Sequence, residues 1–354
     1  MITTVKPLGI AFIGAGGIAG VQAKALAGMP EARVVACADP NPVARARLSG
    51  TYGVERGYAD WREMLADQPD IDAVSVCTPN RLHAEPTIAA LRAGKHVLVE
   101  KPMAMNAEEG QAMVDAARAA GRQLVVGFQV RFSPGAELIR RQIADGVLGR
   151  IVYARCRALR RRGIPGWGVF GRKDLQGGGG LIDIGVHLLE AAHDLMGSPE
   201  PVAATAAAWT YRGDRPMQAL APWGAWDHAS YSVEDLAVGQ VRFAGGACLA
   251  IESSFAAHIE QDVWELDLLG ERGGATLTPC RVFTDQGGYQ MDLAPGWLED
   301  GPLFPYKMRH FVAVCRDGAP NRAPGEHGVL VQRMLDGLYA SAAAGREVRL
   351  DAAA

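Results

Sequence analysis

A lysine, an aspartate and a histidine of this chain stand where their chemistry could be used. Lys101 follows the apolar run His96-Val97-Leu98-Val99 as part of Glu100-Lys101-Pro102. In an open α/β sheet the carboxyl end of a strand faces the ligand crevice. An amine partly desolvated there has its pKa lowered into a range suited to proton work. A second cluster runs Gln176-Gly177-Gly178-Gly179-Gly180-Leu181-Ile182-Asp183-Ile184-Gly185-Val186-His187. The glycines open a helix on which Asp183 and His187 are four residues apart, hence on one face. Ile182, Val186, Leu189 and Ala192 make that helix largely core, where an acid and an imidazole are costly unless they line a cavity. Glu190 and His193 add one Glu-x-x-His pair. Without a second carboxylate–histidine pair no metal site is assigned.

A phosphate-binding loop opens the chain. Leu8–Ile13 runs into Gly14-Ala15-Gly16-Gly17-Ile18-Ala19, a G-x-G-x-x-A string after a strand and before a helix. Gly14 permits the tight turn, Gly16 lets the backbone approach a pyrophosphate, and Ala19 lets helix and strand pack closely. The helix start, through Gly17 and Ile18, offers free N–H groups to the phosphates. A second strand ends in Asp39, placed to bind both ribose hydroxyls and to repel a 2′-phosphate. NAD is therefore the expected cofactor and NADP the lesser candidate, with Arg45 and Arg47 close behind.

The elements that position these groups can be read from periodicity. Leu8–Ile13, Arg33–Ala38, Ile71–Cys77, His96–Val99 and Gln123–Phe128 are short apolar runs of buried-strand type, separated by helical patterns. Asn41-Pro42 and Asn106 with Glu109 are helix starts. Alternating strands and helices predict a parallel sheet. After Phe128, Ser133-Pro134 starts one more helix. Then Arg150–Leu159, Val202–Thr210, Leu236–Phe243, Ala247–Ser254 and Val263–Leu269 follow with only one helix, about Leu181–Met196, among them. Helices near Tyr306–Arg316 and Glu326–Ala343 close the chain. The predicted architecture is an α/β Rossmann domain over 1–128 and, over 129–354, an α+β domain with a large, mostly antiparallel sheet. Tyr211–Asp235 fits neither period and carries Trp223, Trp226, His228 and Tyr231. A loop of that length either covers a ligand or meets another subunit.

With 49% hydrophobic and 21% charged residues, the composition excludes disorder and fibrous repeats. A net charge of -3 and a pI near 6.3 supply no basic field for nucleic acid. No apolar run approaches a membrane span. The first seven residues lack a charged stretch followed by an apolar one, so no secretory leader is expected. Six cysteines, none in a Cys-x-x-Cys pair, fit reduced thiols of a cytoplasmic protein.

Taken together, the Gly14–Ala19 loop with Asp39, Glu100-Lys101-Pro102 and the glycine-rich Asp183–His187 segment resemble the Gfo/Idh/MocA family. Cys77-Thr78-Pro79-Asn80 with His83, Gly127–Arg131, Gly146–Gly149, Glu234-Asp235-Leu236-Ala237 and Ala340–Val348 extend the likeness over nearly the whole chain. The resemblance implies NAD(P)-dependent oxidation or reduction of a secondary carbinol on a sugar, glycoside or cyclitol. It implies that Thr78, Asn80, His83, Glu100 and Lys101 join the cofactor site. It also implies that Lys101, Asp183 and His187 form the catalytic set, and that Lys101–Pro102 is cis. His187 would take the hydroxyl proton while Lys101 hydrogen-bonds the same oxygen, or the two would exchange roles, with Asp183 orienting. Arg131 is expected to reach the substrate cleft. Trp167 either stacks on a sugar or belongs to the core, and Arg160, Arg161 and Arg162 either bind an anionic substituent or form a solvated turn. A homo-oligomer, dimer or tetramer, is implied through the second sheet. The alternatives are an NAD-retaining, redox-neutral glycoside-cleaving enzyme and, last, a non-catalytic NAD-binding regulator.

Overall fold

The computed structural model of the protein describes residues 6–54, 56–67, 70–216, 219 and 223–350. Contacts along the chain gather it into two compact units. One comprises Met1–Gln129 with Pro302–Val329, the other Val130–Gly301 with Leu330–Ala354. The sequence reading placed everything after 128 in the second unit, whereas the segment Pro302–Val329 comes back to the first. Val126 N–H donates to the Ala323 carbonyl at 2.8 Å, so this return leans on a sheet edge. Gly328 packs so closely that a Cβ there would lie 2.5 Å from Met103 Sδ.

In the first unit, β1 (Leu8–Ile13), β2 (Ala32–Ala38), β3 (Arg56–Tyr58), β4 (Ala73–Val76), β5 (His96–Val99) and β6 (Leu124–Val126) form a parallel sheet of order β3-β2-β1-β4-β5-β6. This is the doubly wound arrangement, whose crevice lies at the carboxyl ends of the central strands. Helices cover both faces, so β1 and β4 are buried along their whole length and read as unbroken apolar runs. The predicted caps form: Asn41 Oδ1 accepts from Val43 N–H at 2.9 Å, and Asn106 Oδ1 from Glu109 N–H at 2.9 Å. β3 escaped the sequence reading because it has three residues, none of them buried.

The second unit holds a nine-stranded sheet: β7 (Ile151–Leu159), β8 (Pro201–Trp209), β9 (Leu236–Phe243), β10 (Cys248–Ser254), β11 (Val263–Gly270), β12 (Gly273–Thr276), β13 (Arg281–Gln286), β14 (Tyr289–Leu293) and β15 (Val348–Arg349). Its order is β14-β13-β12-β11-β7-β10-β9-β8-β15. Among the described residues of this sheet, only β7 and β10 pair in parallel. Ala154, Cys156 and Ala158 of β7 are buried, and the helix Val186–Leu195 packs on β7, β10 and β11. Arg155 and Arg157, on the alternate face of β7, meet Asp267 and Glu265 in register on β11. Among the described residues no helix is long and apolar enough to cross a membrane.

Candidate active site

The first unit gathers its predicted residues at the carboxyl ends of β1, β2, β4 and β5. Gly14 has φ +91°, and a Cβ there would lie 2.7 Å from the Cys77 carbonyl oxygen, so only glycine fits where the loop passes β4. Around Gly16 and Gly17 the opposite holds: nothing lies within 4 Å of where a Cβ would be. The helix Gly17–Leu26 starts there with no side-chain cap and no acidic residue in its first turn. Its N–H groups and dipole are thus left for an anion, which fits a pyrophosphate. Ala19 is fully buried, as close helix–strand packing requires, whereas Ile18 is exposed. A cavity of about 260 Å³ opens beside the loop, lined in part by Gly16, Gly17, Lys24 and Arg47.

Asp39 braces this loop. Its Oδ2 accepts from Ala15 N–H and its Oδ1 from Asn41 N–H, both at 2.8 Å. Arg45 donates to the Asp39 carbonyl and Arg47 to the Ala15 carbonyl, so both cations lie at the same corner. The carboxylate that would receive the ribose is therefore fixed before any ligand arrives.

Thr78, Asn80, His83, Glu100 and Lys101 make a connected framework. His83 is buried and spans two loops, with Nδ1 2.8 Å from the Pro102 carbonyl and Nε2 2.9 Å from the Thr78 carbonyl. Burial lowers its pKa, against the pull of those two carbonyls. Thr78 Oγ1 donates to the Leu82 carbonyl and Asn80 is buried. The Lys101–Pro102 peptide is cis. Glu100 turns inward: its Oε1 accepts from Gln22 Nε2 at 2.5 Å and from the buried Lys307 ammonium, and its Oε2 from Lys101 N–H at 3.2 Å. Gln22 Oε1 in turn accepts from Ser75 Oγ at 2.6 Å. Burial would raise the Glu100 carboxyl, but Lys307 and Lys101 hold it below the ordinary range.

In the second unit, Asp183 lies in a π-helical turn, Leu181–Gly185, that passes into the α-helix Val186–Leu195 bearing His187. The wider first turn departs from the uniform helix expected, and such turns occur often at functional sites. Packing explains the glycines before it. A Cβ on Gly178 would meet the Tyr339 hydroxyl at 2.0 Å, and one on Gly179 the Glu234 carbonyl at 1.9 Å. Asp183 is 6% exposed. His187 has the indole of Trp264 beside it, with ring centroids 6.2 Å apart. Trp264, second residue of β11, lies on the same face as the buried Leu266 and Leu268, yet is 38% exposed.

Arg160 completes this side. Its guanidinium lies 4.2 Å from the Trp223 ring centroid and 5.7 Å from that of Phe255. Burial lowers its pKa, while Asp183 and Asp262 act to raise it. Trp223 stacks on Trp167, with ring centroids 5.3 Å apart. Trp167 is thus an exposed aromatic rather than a core residue. Arg161 N–H donates to Asp262 Oδ1 at 2.7 Å, and its guanidinium to the Glu260 carbonyl. Arg162 is exposed.

Arg131 does not join them. It is fully buried, its Nε and Nη2 both 2.8 Å from Glu190 Oε2 and its Nη1 3.3 Å from Asp194. His193 Nε2 meets the Pro199 carbonyl at 2.8 Å. Glu190 and His193 are thus engaged elsewhere, and among the described residues no three His, Cys, Asp or Glu side chains gather as a metal would need.

Sequence reasoning passed over Gln22, Lys307, Trp264, Tyr339 and the roles of Glu234 and Asp235. Only the Glu-Asp pair left a legible sign, two adjacent acids opening a strand.

Comparison with known proteins agrees with this geometry. Residues 8–128 match the family described as "Oxidoreductase family, NAD-binding Rossmann fold", and 140–350 its C-terminal alpha/beta domain. The chain is 39% identical to the D-glucoside 3-dehydrogenase of Escherichia coli K12, over 98% of this chain and 99% of that one. It is 32% identical to the levoglucosan dehydrogenase of Pseudarthrobacter phenanthrenivorans, over 78% and 74%. A levoglucosan dehydrogenase solved with NADH and levoglucosan superposes with a TM-score of 0.85 at 27% identity, over 98% of this chain and all of that one.

Proposed function

The chain belongs to the Gfo/Idh/MocA oxidoreductase family, and we propose that it oxidises a ring hydroxyl of a D-glucoside, at C3, through Lys101, Asp183 and His187. It is an NAD-dependent oxidoreductase acting on sugar or cyclitol hydroxyls; the redox-neutral cleaving alternative is not favoured. The choice of a glucoside and of C3 rests on the likeness to the glucoside dehydrogenase along nearly the whole chain.

Gly14, Gly16, Gly17 and Asp39 would hold NAD, which when bound supplies the acceptor for the substrate's hydride. The chain's own residues handle the proton. His187 takes it from the reacting hydroxyl, Lys101 donates a hydrogen bond to the same oxygen as negative charge grows, and Asp183 fixes the imidazole or the hydroxyl. The observation that carries this reading is His187 on a glycine-opened helix with Asp183 four residues before it and Trp264 beside its ring. An exposed indole there suits the C–H face of a sugar, and Trp167 with Trp223 offers a second aromatic surface for the aglycone.

The test is steady-state oxidation of alkyl and aryl glucosides by His187→Ala. Turnover should fall about 10²- to 10⁴-fold with NADH affinity kept. Turnover near that of the wild type would sink the assignment. Release of aglycone without net NADH would instead favour the cleaving alternative. Self-association through the sheet face carrying Trp209 and Leu269, both exposed, belongs to the same proposal. So does a reducing, cytoplasmic setting, which six unpaired thiols support.

A further inference from the structure

The aromatic loop and the glycine-opened helix meet at one dipeptide of the second unit. Glu234 is almost fully buried, and each of its carboxylate oxygens works as an acceptor. Oε2 takes Gly179 N–H at 2.9 Å, and Oε1 takes Leu181 N–H at 3.0 Å and the Tyr339 hydroxyl at 2.9 Å. Its backbone carbonyl takes Gly180 N–H at 3.4 Å. These N–H groups begin the segment that carries Asp183 and His187, and they have no helical partner of their own. A buried carboxylate satisfies them and complements the dipole of the turn. Glycines at 178 and 179 let Tyr339 and Glu234 come this close.

The next residue faces the loop. Asp235 Oδ2 accepts from Arg212 N–H and Gly213 N–H, both at 2.7 Å, and from Tyr211 N–H at 3.1 Å. Gly213 returns its carbonyl to Trp226 Nε1 at 2.7 Å. Further along, the Ala225 carbonyl presses on Gly166, where a Cβ would lie 2.2 Å away, and Trp223 covers Arg160. Trp223 thus reaches the arginine on whose charge Asp183 acts.

We propose that Glu234 and Asp235 are a pair of positioning residues with divided tasks. Glu234 sets the turn that aims Asp183 and His187 and so governs the chemical step. Asp235 sets the turn Tyr211–Gly213 and through it the indoles of Trp226 and Trp223 beside Arg160, and so governs substrate binding. The inference rests on the catalytic reading of Asp183 and His187.

Glu234→Gln separates this from a merely structural part. A glutamine supplies one acceptor oxygen where two are needed, and its amide nitrogen would face an N–H group. Turnover should drop about 10- to 100-fold, the scale for a misplaced catalytic group. The primary deuterium isotope effect, with substrate labelled at the oxidised carbon, should rise, and NADH affinity by fluorescence titration should not change. Asp235→Asn should raise KM for aryl glucosides about tenfold or more, with turnover held within about twofold and the isotope effect unmoved, because the loop binds without taking part in the chemical step. Tyr339→Phe removes one of three donors to the Glu234 carboxylate and should give a smaller shift of the first kind, a few-fold in turnover. It also serves if Glu234→Gln fails to fold.

Unchanged turnover and isotope effect in folded Glu234→Gln, or in Tyr339→Phe should the former not fold, would overturn the proposal. So would an Asp235→Asn variant that behaves like Glu234→Gln. If His187→Ala keeps its activity, the catalytic reading fails first. If His187→Ala is dead while Glu234→Gln is normal, only the division of tasks fails.

Discussion

Each unit buries one glutamate against one cation, and the two pairs are built differently. In the first, Glu100 has the Lys307 ammonium, the Gln22 amide and the Lys101 N–H to itself. In the second, Glu190 shares the Arg131 guanidinium with Asp194, which also takes Arg140. Burial presses both carboxyls toward their neutral forms. At Glu100 the dedicated partners win and the pKa falls. At Glu190 burial, helped by the nearby Asp194, wins over Arg131, and the pKa is pushed up to about 7. The lesson is that a buried ion pair has no fixed character. The number of charges competing for the cation decides which protonation state the fold prefers.

Removing the cation should give the largest effects. Arg131→Met strands one acid and weakens the hold on a second. Lys307→Met strands one. Losses of about 3–5 kcal/mol are expected, the lysine variant at the upper end because Glu190 can take up a proton where Glu100 stays ionised. Hydrogen exchange should localise them, with faster exchange in the helix Val186–Leu195 for Arg131→Met and in β5 and the helix Phe304–Asp317 for Lys307→Met. If both variants opened the same peptides, the two pairs would not be independent and the comparison would break. Adding Glu100→Gln to Lys307→Met should recover about 1–3 kcal/mol, since it removes the orphaned charge.

A pH series sharpens the contrast with a smaller effect. The folded pKa of Glu190 lies above the unfolded carboxyl value of about 4.3, so the native state holds that proton more tightly. Its contribution to stability is complete below the unfolded pKa and is lost as pH rises through about 7. Glu100 has the opposite sign: its contribution is present above the unfolded pKa and is lost as pH falls through its lowered folded value. Melting temperatures between pH 5 and 8 should therefore decline more in the wild type than in Glu190→Gln, by on the order of 1–3 kcal/mol in stability. Glu100→Gln should alter only the acid limb. Parallel profiles for wild type and Glu190→Gln would mean that Arg131 keeps the acid ionised after all.

The smallest effect should be equal in the two units. Asn106 caps the helix Ala107–Ala120 in the first and Ser133 caps Pro134–Ala144 in the second. Replacing either by alanine should cost about 1 kcal/mol in denaturant melts. A large inequality would show that helix starts, and not only buried charges, differ between the units.

Caps of this kind were legible from the chain because a cap and the N–H that donates to it lie two or three residues apart. The same holds for the Gly14–Ala19 loop and for the strands buried on both faces, whose apolar runs need no partner to be recognised. Strands β12, β13 and β14 were not legible. β14 is exposed at every position and β12 is four residues of Gly273–Thr276, so burial left no alternation to read. Arg131 was expected in the cleft because it follows a Rossmann strand. Nothing local could reveal that Glu190 and Asp194, on a later helix, would take it. Trp264 lies near the start of a strand whose pattern fits a half-buried face, and the helix packed on that face puts His187 beside it.

The chain by itself therefore determined what short spacings can encode: the dinucleotide loop and its acid, the helix starts, the double-wound first unit, and an aspartate and a histidine one turn apart. Tertiary structure alone decided which charges meet. Lys307 finds Glu100 across 207 residues, and Glu234 finds the start of the Asp183 helix across more than 50. The physical reason lies in the range of the forces. Backbone geometry and periodic burial act over a few residues, whereas the partner of a buried charge is set by how the sheets and helices pack, since no such group can be left unpaired away from water.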